Sequence, residues 1–182
     1  MYWRNKTERY GSAAIGLHWL MLLILSAVYA SIEFRTLFPK GSDPRELMKL
    51  WHFMLGLSVL ALVSIRVLIH LIGPTPAISP MPPKWQNLLG GSMHIVLYLF
   101  MIGMPLAGWL LLSAEVDPIP FFGLQLPELI SQNKNSAELI KEVHEAGGTV
   151  GYFLIGLHAA AALFHHYIVR DNTLARMLPD RR

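Results

Sequence analysis

The chain has 182 residues, 53% of them hydrophobic and only 15% charged, with a mean hydropathy of +0.42. A soluble domain carries about 25% charged residues, so much of this surface is expected to face lipid. No cysteine is present, which excludes disulfides, thiolate-bound iron–sulfur clusters, covalently attached c-type haem and cysteine nucleophiles. The formal charge of +3 and pI near 9.3 would suit nucleic acid. The basic residues, however, lie between apolar stretches, where they set membrane topology, and no nucleic-acid partner is expected.

A bilayer crossing needs about 20 apolar residues, and four stretches satisfy that length. The first, residues 13–32, has no charge except a possible one on His18. It lacks a small-residue cleavage pattern and is expected to stay as an anchor. Residues 33–49 form a short connection in which Phe38, Pro39 and Gly41 mark a turn. The second span, 50–72, carries Arg66, and the proline-rich linker 73–83 after it reads as extended chain along the surface. The third span, 88–114, contains Pro105, which predicts a kink. In the long connection 115–143, residues 136–144 read as a helix with Ser136 as N-cap. The fourth span is 146–169.

Lipid leaves the backbone no outside hydrogen-bond partners, so each span is predicted to be a helix. The expected fold is an all-α integral membrane protein, one domain over residues 1–182, folded as a four-transmembrane-helix bundle. Trp19, Trp51, Trp85 and Trp109 fall near predicted span ends, as an aromatic belt would. No repeat of fixed period is present. Arg4, Lys6, Arg9, Arg66, Lys84, Arg170, Arg176, Arg181 and Arg182 lie on the side of the termini; Arg35, Lys40, Arg45, Lys49, Lys134 and Lys141 lie opposite. Nine basic residues against six point to cytoplasmic N- and C-termini.

Ionisable residues within spans are costly and need a reason. His18 lies about one and a half turns inside the first span, and His158 about three turns before the end of the fourth. His52 and His144 each begin a span on the far side. Depth therefore pairs His18 with His158 and His52 with His144. His144 and His158 are fourteen residues apart, roughly 21 Å along a helix and only about 40° short of whole turns, so both face one side. Gly148, Gly151 and Ile155 share that face and would let a large flat ring approach the backbone. The pattern predicts two b-type haems, each held through its iron by one histidine pair. Bis-histidine ligation leaves no open iron position and favours electron transfer.

Other readings stay open. Buried imidazoles can simply bond neighbouring helices. Zinc is disfavoured, because the pairs are far apart and lack thiolates or clustered carboxylates. Arg66, fourteen residues after His52, is placed to pair with a haem propionate, or else snorkels to the interface. His94 opens the third span, shallower than His18, and is the alternative to His18 opposite His158. His70, His165 and His166 are interfacial by default, while His165, near the His158 face, is also placed to meet a quinone headgroup.

At these residues the chain resembles the bacterial cytochrome b561 family over nearly its whole length. The shared pieces are Leu17-His18-Trp19-Leu20, Glu33-Phe34-Arg35, Phe38-Pro39-Lys40, Trp51-His52, Ser64-Ile65-Arg66 and the proline-rich linker. The most specific stretch runs from His144-Glu145 through Gly151-Tyr152-Phe153 to His158, His165-His166-Tyr167 and the tail Asp171-Asn172-Thr173-Leu174-Ala175-Arg176-Met177-Leu178-Pro179. The resemblance implies a di-haem inner-membrane cytochrome ligated by His18, His158, His52 and His144. It also implies a superoxide:ubiquinone oxidoreductase, with superoxide as donor at the periplasmic face and ubiquinone as acceptor. Arg35, Lys40, Arg45 and Lys49 suit an anionic substrate, whereas Glu115, Asp117, Glu128, Glu138 and Glu142 oppose it. Two alternatives remain: a haem-containing anchor or electron-transfer subunit of a larger dehydrogenase or hydrogenase, with a protein partner, and a haem-free bundle.

Overall fold

The computed structural model describes residues 3, 5, 7, 9–115 and 119–179. The sequence-stretch residues Arg4, Lys6, Asp117, Arg181 and Arg182 lie outside that set. Helices α1 (Ser12–Phe34), α2 (Asp43–Ile72), α3 (Lys84–Glu115) and α4 (Lys134–Phe164) carry most of the chain. All four are long and apolar enough to cross a membrane. Large apolar side chains stay on their outer faces: Leu23, Leu68, Leu99, Phe153 and Leu157 are each more than half exposed. In water such a surface would drive association; in a bilayer it contacts lipid tails.

Three of the helices begin before the apolar stretches do. Asp43 and Pro44 open α2, the acidic side chain favourably placed at the positive helix end and the proline where its missing N–H costs nothing. Helix α3 starts directly after Pro83. Helix α4 starts at Lys134 and runs unbroken through residues 136–144 into the fourth span. Its N-cap is Asn133, not Ser136: the Asn133 Oδ1 accepts the Ser136 backbone N–H at 3.0 Å. No proline or turn interrupts the segment that follows, so the expected separate helix is the first turns of α4. Pro105 sits buried inside α3, which remains helical on both sides of it.

The close backbone pairings are α1 with α2, α2 with α3, and α3 with α4. The apolar core sits among the first three helices: Met21, Val59 and Val63 pack with Ile24, Val28, Tyr98 and Met101. Helix α4 contributes only Ala137 and Gly151 as buried residues. Its backbone lies closer to α3 than to α1 and α2, which it meets through contacts such as the Tyr29 hydroxyl on the Gly148 carbonyl.

Each end of the bundle is closed differently. At the terminal end, Trp19 Nε1 donates to the Met177 carbonyl at 2.7 Å, and the Ser79 N–H donates to Asn172 Oδ1 at 2.8 Å, with Asn172 N–H returning a bond to the Ser79 carbonyl at 3.1 Å. The proline-rich linker is thus tied to the C-terminal segment. Trp19 and Trp109 each anchor a loop, the latter donating to the Pro127 carbonyl at 3.0 Å.

The opposite end has a feature the helical pattern does not predict: an antiparallel hairpin, β1 (Ile119–Phe121) and β2 (Leu124–Leu126). Phe122 and Gly123 both have positive φ, the turn whose twist matches a tight hairpin. Ile119 is fully buried, and the Phe122 ring lies 6.3 Å from that of Trp51. The hairpin therefore seats on the start of α2.

Candidate functional site

Five histidines gather in two groups, one toward each end. At the hairpin end, the ring centres of His52 on α2 and His144 on α4 are 6.3 Å apart. At the terminal end, those of His18 on α1 and His158 on α4 are also 6.3 Å apart. The imidazole planes are steeply inclined in both, at 84° and 66°. Both pairs bridge α4 to the helix pair with which its backbone makes no close pairing.

His94 differs from its expected place. Its ring centre lies 5.5 Å from that of His158, in the same group as His18. The shallow position assigned to it assumed a helix starting near residue 88. Because α3 begins at Lys84, His94 is almost three turns inside it, level with His158.

The hairpin-end pair has its own second layer of contacts. His52 Nδ1 lies 3.0 Å from the Val28 carbonyl. A proton on that nitrogen donates to the Val28 carbonyl and leaves Nε2 unprotonated. His144 Nδ1 is buried and makes no hydrogen bond. The ring also fills the space over Gly108, where a Cβ would come within 3.2 Å of His144 Cε1.

Between the two groups lies Gly151, seven residues from His144 and seven from His158. Its missing side chain does not open the backbone to a large flat ring, as the sequence suggested. The Tyr29 hydroxyl and the Phe100 ring occupy that space, so closely that a Cβ would overlap both. Tyr29 Oη donates to the Gly148 carbonyl at 2.8 Å and its ring centre lies 4.3 Å from that of Tyr152, tilted by 44°; the Tyr152 hydroxyl donates to Glu33 at 2.9 Å. The absence of a Cβ admits any flat group, and here two aromatic side chains take the room. The regular spacing about Gly151 was visible in the sequence; its occupants, on α1 and α3, were not.

One arginine accompanies each group. Arg66 is partly buried, reaches Tyr98 Oη only at 3.4 Å from Nε, and has a buried Nη1 without a partner. Its charge acts on His18, His94 and His158. Arg35, at the C-cap of α1, has a buried Nε without a partner, and its charge acts on His52. The sequence pattern singled out Arg66 by spacing and placed Arg35 only in a cationic connection.

The structure keeps His165 apart from the His18–His158 group. It lies in a π turn, His165–Val169, that ends the fourth span, and its Nδ1 donates to Asp171 Oδ2 at 2.6 Å. The Asp171 side chain is fully buried and also accepts the Thr173 N–H at 2.8 Å. Burial alone would raise this carboxyl. The hydrogen bonds from His165 and Thr173 outweigh that and hold it below its ordinary 3.8. The His70 ring lies near that of Tyr98, and the His166 ring near that of Tyr167.

Among the described residues no cluster of three or more metal-ligating side chains meets at one point. What the arrangement offers is two close histidine pairs, one toward each end of the bundle, in spans where charge is otherwise scarce. Residues 9–180 match the family model described as prokaryotic cytochrome b561. The chain is 41% identical to cytochrome b561 homolog 1 of Escherichia coli (strain K12) over 175 residues, covering 96% of this chain and 99% of that protein. It is 39% identical to a Yersinia pestis protein named probable superoxide oxidase CybB, covering 96% and 98%. Cytochrome b561 homolog 2 of Escherichia coli is 29% identical, covering 98% and 95%. The chain therefore belongs to the prokaryotic cytochrome b561 family, multi-pass bacterial membrane proteins of electron transfer that bind b-type haem.

Proposed function

We propose that this protein is a membrane oxidoreductase holding two b-type haems, which takes electrons from superoxide at the periplasmic face and delivers them to ubiquinone. The whole chain acts as one unit in this reading, with both termini cytoplasmic. The observation that carries it is the spacing of the histidine pairs. One metal ion between two imidazoles, at about 2.0–2.1 Å from a nitrogen of each, would need ring centres set well apart. His18–His158 and His52–His144 both stand at 6.3 Å. His94–His158, at 5.5 Å, is too close for that arrangement.

The other contacts support the same assignment. A ligating histidine normally donates its second nitrogen to a carbonyl or carboxylate, which fixes the ring and raises its basicity. His52 has that bond to Val28. Arg66, with a buried nitrogen free of any partner, is suited to a propionate at the His18–His158 site. When bound, each haem supplies a one-electron redox centre within the bilayer.

The balanced reaction takes one electron from each of two superoxide anions, leaving two dioxygen molecules. One ubiquinone accepts both electrons with two protons and becomes the quinol. Support for superoxide comes from the similarity to the Yersinia pestis protein of that name. The cationic connection supports it less than its composition suggests. Arg45 Nη1 is engaged by the Arg35 and Phe38 carbonyls, and Lys49 by Glu46 at 2.8 Å. Support for a quinone near His165 is the imidazole itself: with Nδ1 donating to Asp171, Nε2 is left to accept from the hydroxyl of the quinol formed on reduction.

The test is stopped-flow reduction of the purified protein by superoxide, with and without ubiquinone. The expected result is rapid appearance of reduced b-type absorbance, discharged when quinone is present. A protein with two haems that ignores superoxide but reduces quinone from another donor refutes the substrate assignment. Stoichiometric co-purification with a soluble dehydrogenase would instead make it an anchor subunit.

A further inference from the structure

Arg35 is an anomaly in a bundle with little charge to spare. It caps α1 and opens the short 3-10 turn Arg35–Leu37. The carbonyls of that turn are held by Arg45, whose Nη1 donates to Arg35 O at 3.1 Å and Phe38 O at 3.0 Å. Arg45 therefore has a structural use, and Lys49 is neutralised by Glu46. Arg35 has neither. Its Nε is buried and unbonded, and among the described residues no carboxylate pairs with it.

A guanidinium keeps its charge at any accessible pH, and a buried charge without a counterion is strongly destabilising. The buried Nε calls for an acceptor that is present in the resting protein, and an anion suits a guanidinium best. A passing substrate anion would leave the charge unpaired between turnovers. The direction of the missing partner is marked by His52, whose Nδ1 lies 3.0 Å from the carbonyl of Val28 on α1, seven residues before Arg35 and so on nearly the same face of that helix. Arg66 accompanies the other histidine group, also with a buried unbonded nitrogen.

We propose that Arg35 is a carboxylate-binding residue of the His52–His144 site, pairing with a propionate of the haem held there as Arg66 does at the His18–His158 site. This rests on the two-haem reading. The bundle then carries one guanidinium per haem, contributed by the C-terminal cap of α1 at one end and by α2 at the other. A charge-assisted bond to a carboxylate is shorter and stronger than a neutral one, and Arg adds a planar fork that orients the group it holds.

The experiment uses the intact protein with its haems, and the variants Arg35→Gln, Arg35→Lys and Arg45→Gln. Haem content, the rate of haem transfer to apomyoglobin and a redox titration resolved into two components are measured. In Arg35→Gln one haem is expected to leave about tenfold faster, in line with loss of a charge-assisted hydrogen bond. That haem's potential falls, because a positive charge favouring the reduced state is gone, while the other component does not move. Arg35→Lys keeps the potential and loses part of the retention. Arg45→Gln loosens the turn without shifting either potential, which separates loss of structure from loss of charge.

Unchanged release and unchanged potentials in Arg35→Gln overturn the proposal. So does a variant slowed only in its reaction with superoxide, which would make Arg35 a guide for the entering anion. Retention that depends on added anionic phospholipid would assign the charge to a lipid phosphate, and also overturns it. If wild-type protein holds fewer than two haems, the two-haem reading itself fails, whatever Arg35 does.

Discussion

The ring centres of His94 and His158 lie 5.5 Å apart, closer than the 6.3 Å between His18 and His158. Proximity thus favours one neighbour and ligation geometry the other. A metal held between two imidazoles would need room, so on the reading proposed above the nearer ring would be the poorer partner. His94→Ala is expected to retain two haems per chain by pyridine haemochrome assay, with a shifted spectrum for the terminal-end haem. His18→Ala is expected to lose that haem. The reverse pattern would make His94 the ligand.

The hairpin-end pair should behave independently of the terminal-end pair. His52→Ala and His144→Ala are each expected to halve the haem content and to leave the same surviving spectrum. The two histidine pairs have no residue in common and stand roughly 21 Å apart along α4, the one helix that gives a histidine to both. Loss of both haems from either change would show that the sites form as one.

Gly151 provides a stability test that needs no electron transfer. A Cβ there overlaps the Tyr29 hydroxyl and the Phe100 ring. Overpacking of this kind costs typically about 1–3 kcal/mol, and Gly151→Ala is expected to lower the unfolding temperature accordingly. Gly156 has nothing within 4 Å of an added Cβ, so Gly156→Ala should be neutral or stabilising through its better helix propensity. Equal effects from the two would mean that Tyr29 and Phe100 yield easily.

Asp171 predicts a pH dependence with a definite sign. Its carboxyl lies below 3.8 because bonds from His165 and Thr173 outweigh the cost of burial. A carboxylate depressed in the folded state contributes stability above its unfolded pKa and loses it as pH falls through the folded one. Asp171→Asn is therefore expected to unfold at lower temperature than wild type near neutrality, by the worth of a charged hydrogen bond, on the order of 1.5–3 kcal/mol. The gap should close below pH 3.8. A gap that stays constant down to acid pH would assign the loss to packing instead.

The four spans were legible in the sequence because lipid makes length and apolarity nearly sufficient conditions for a helix. The turn arithmetic that put His144 and His158 on one face of α4 was legible for the same reason: within a single helix, spacing is geometry. Helix starts were less so. Asp43, Lys84 and Lys134 lie in polar sequence where caps and prolines decide the boundary, and misjudging one of them misplaced His94 by depth. The hairpin of Ile119–Phe121 and Leu124–Leu126 was hidden in a loop because its register comes from two adjacent positive-φ residues and from its seat on Trp51. Likewise, no periodicity connects Gly151 to Tyr29 and Phe100, or Arg35 to His52. By itself the sequence determined how many helices cross the membrane and which side chains share a face on each. Only the tertiary structure decided which faces meet, because packing between helices depends on the summed shapes of side chains from separate segments, and that sum is not written along any one of them.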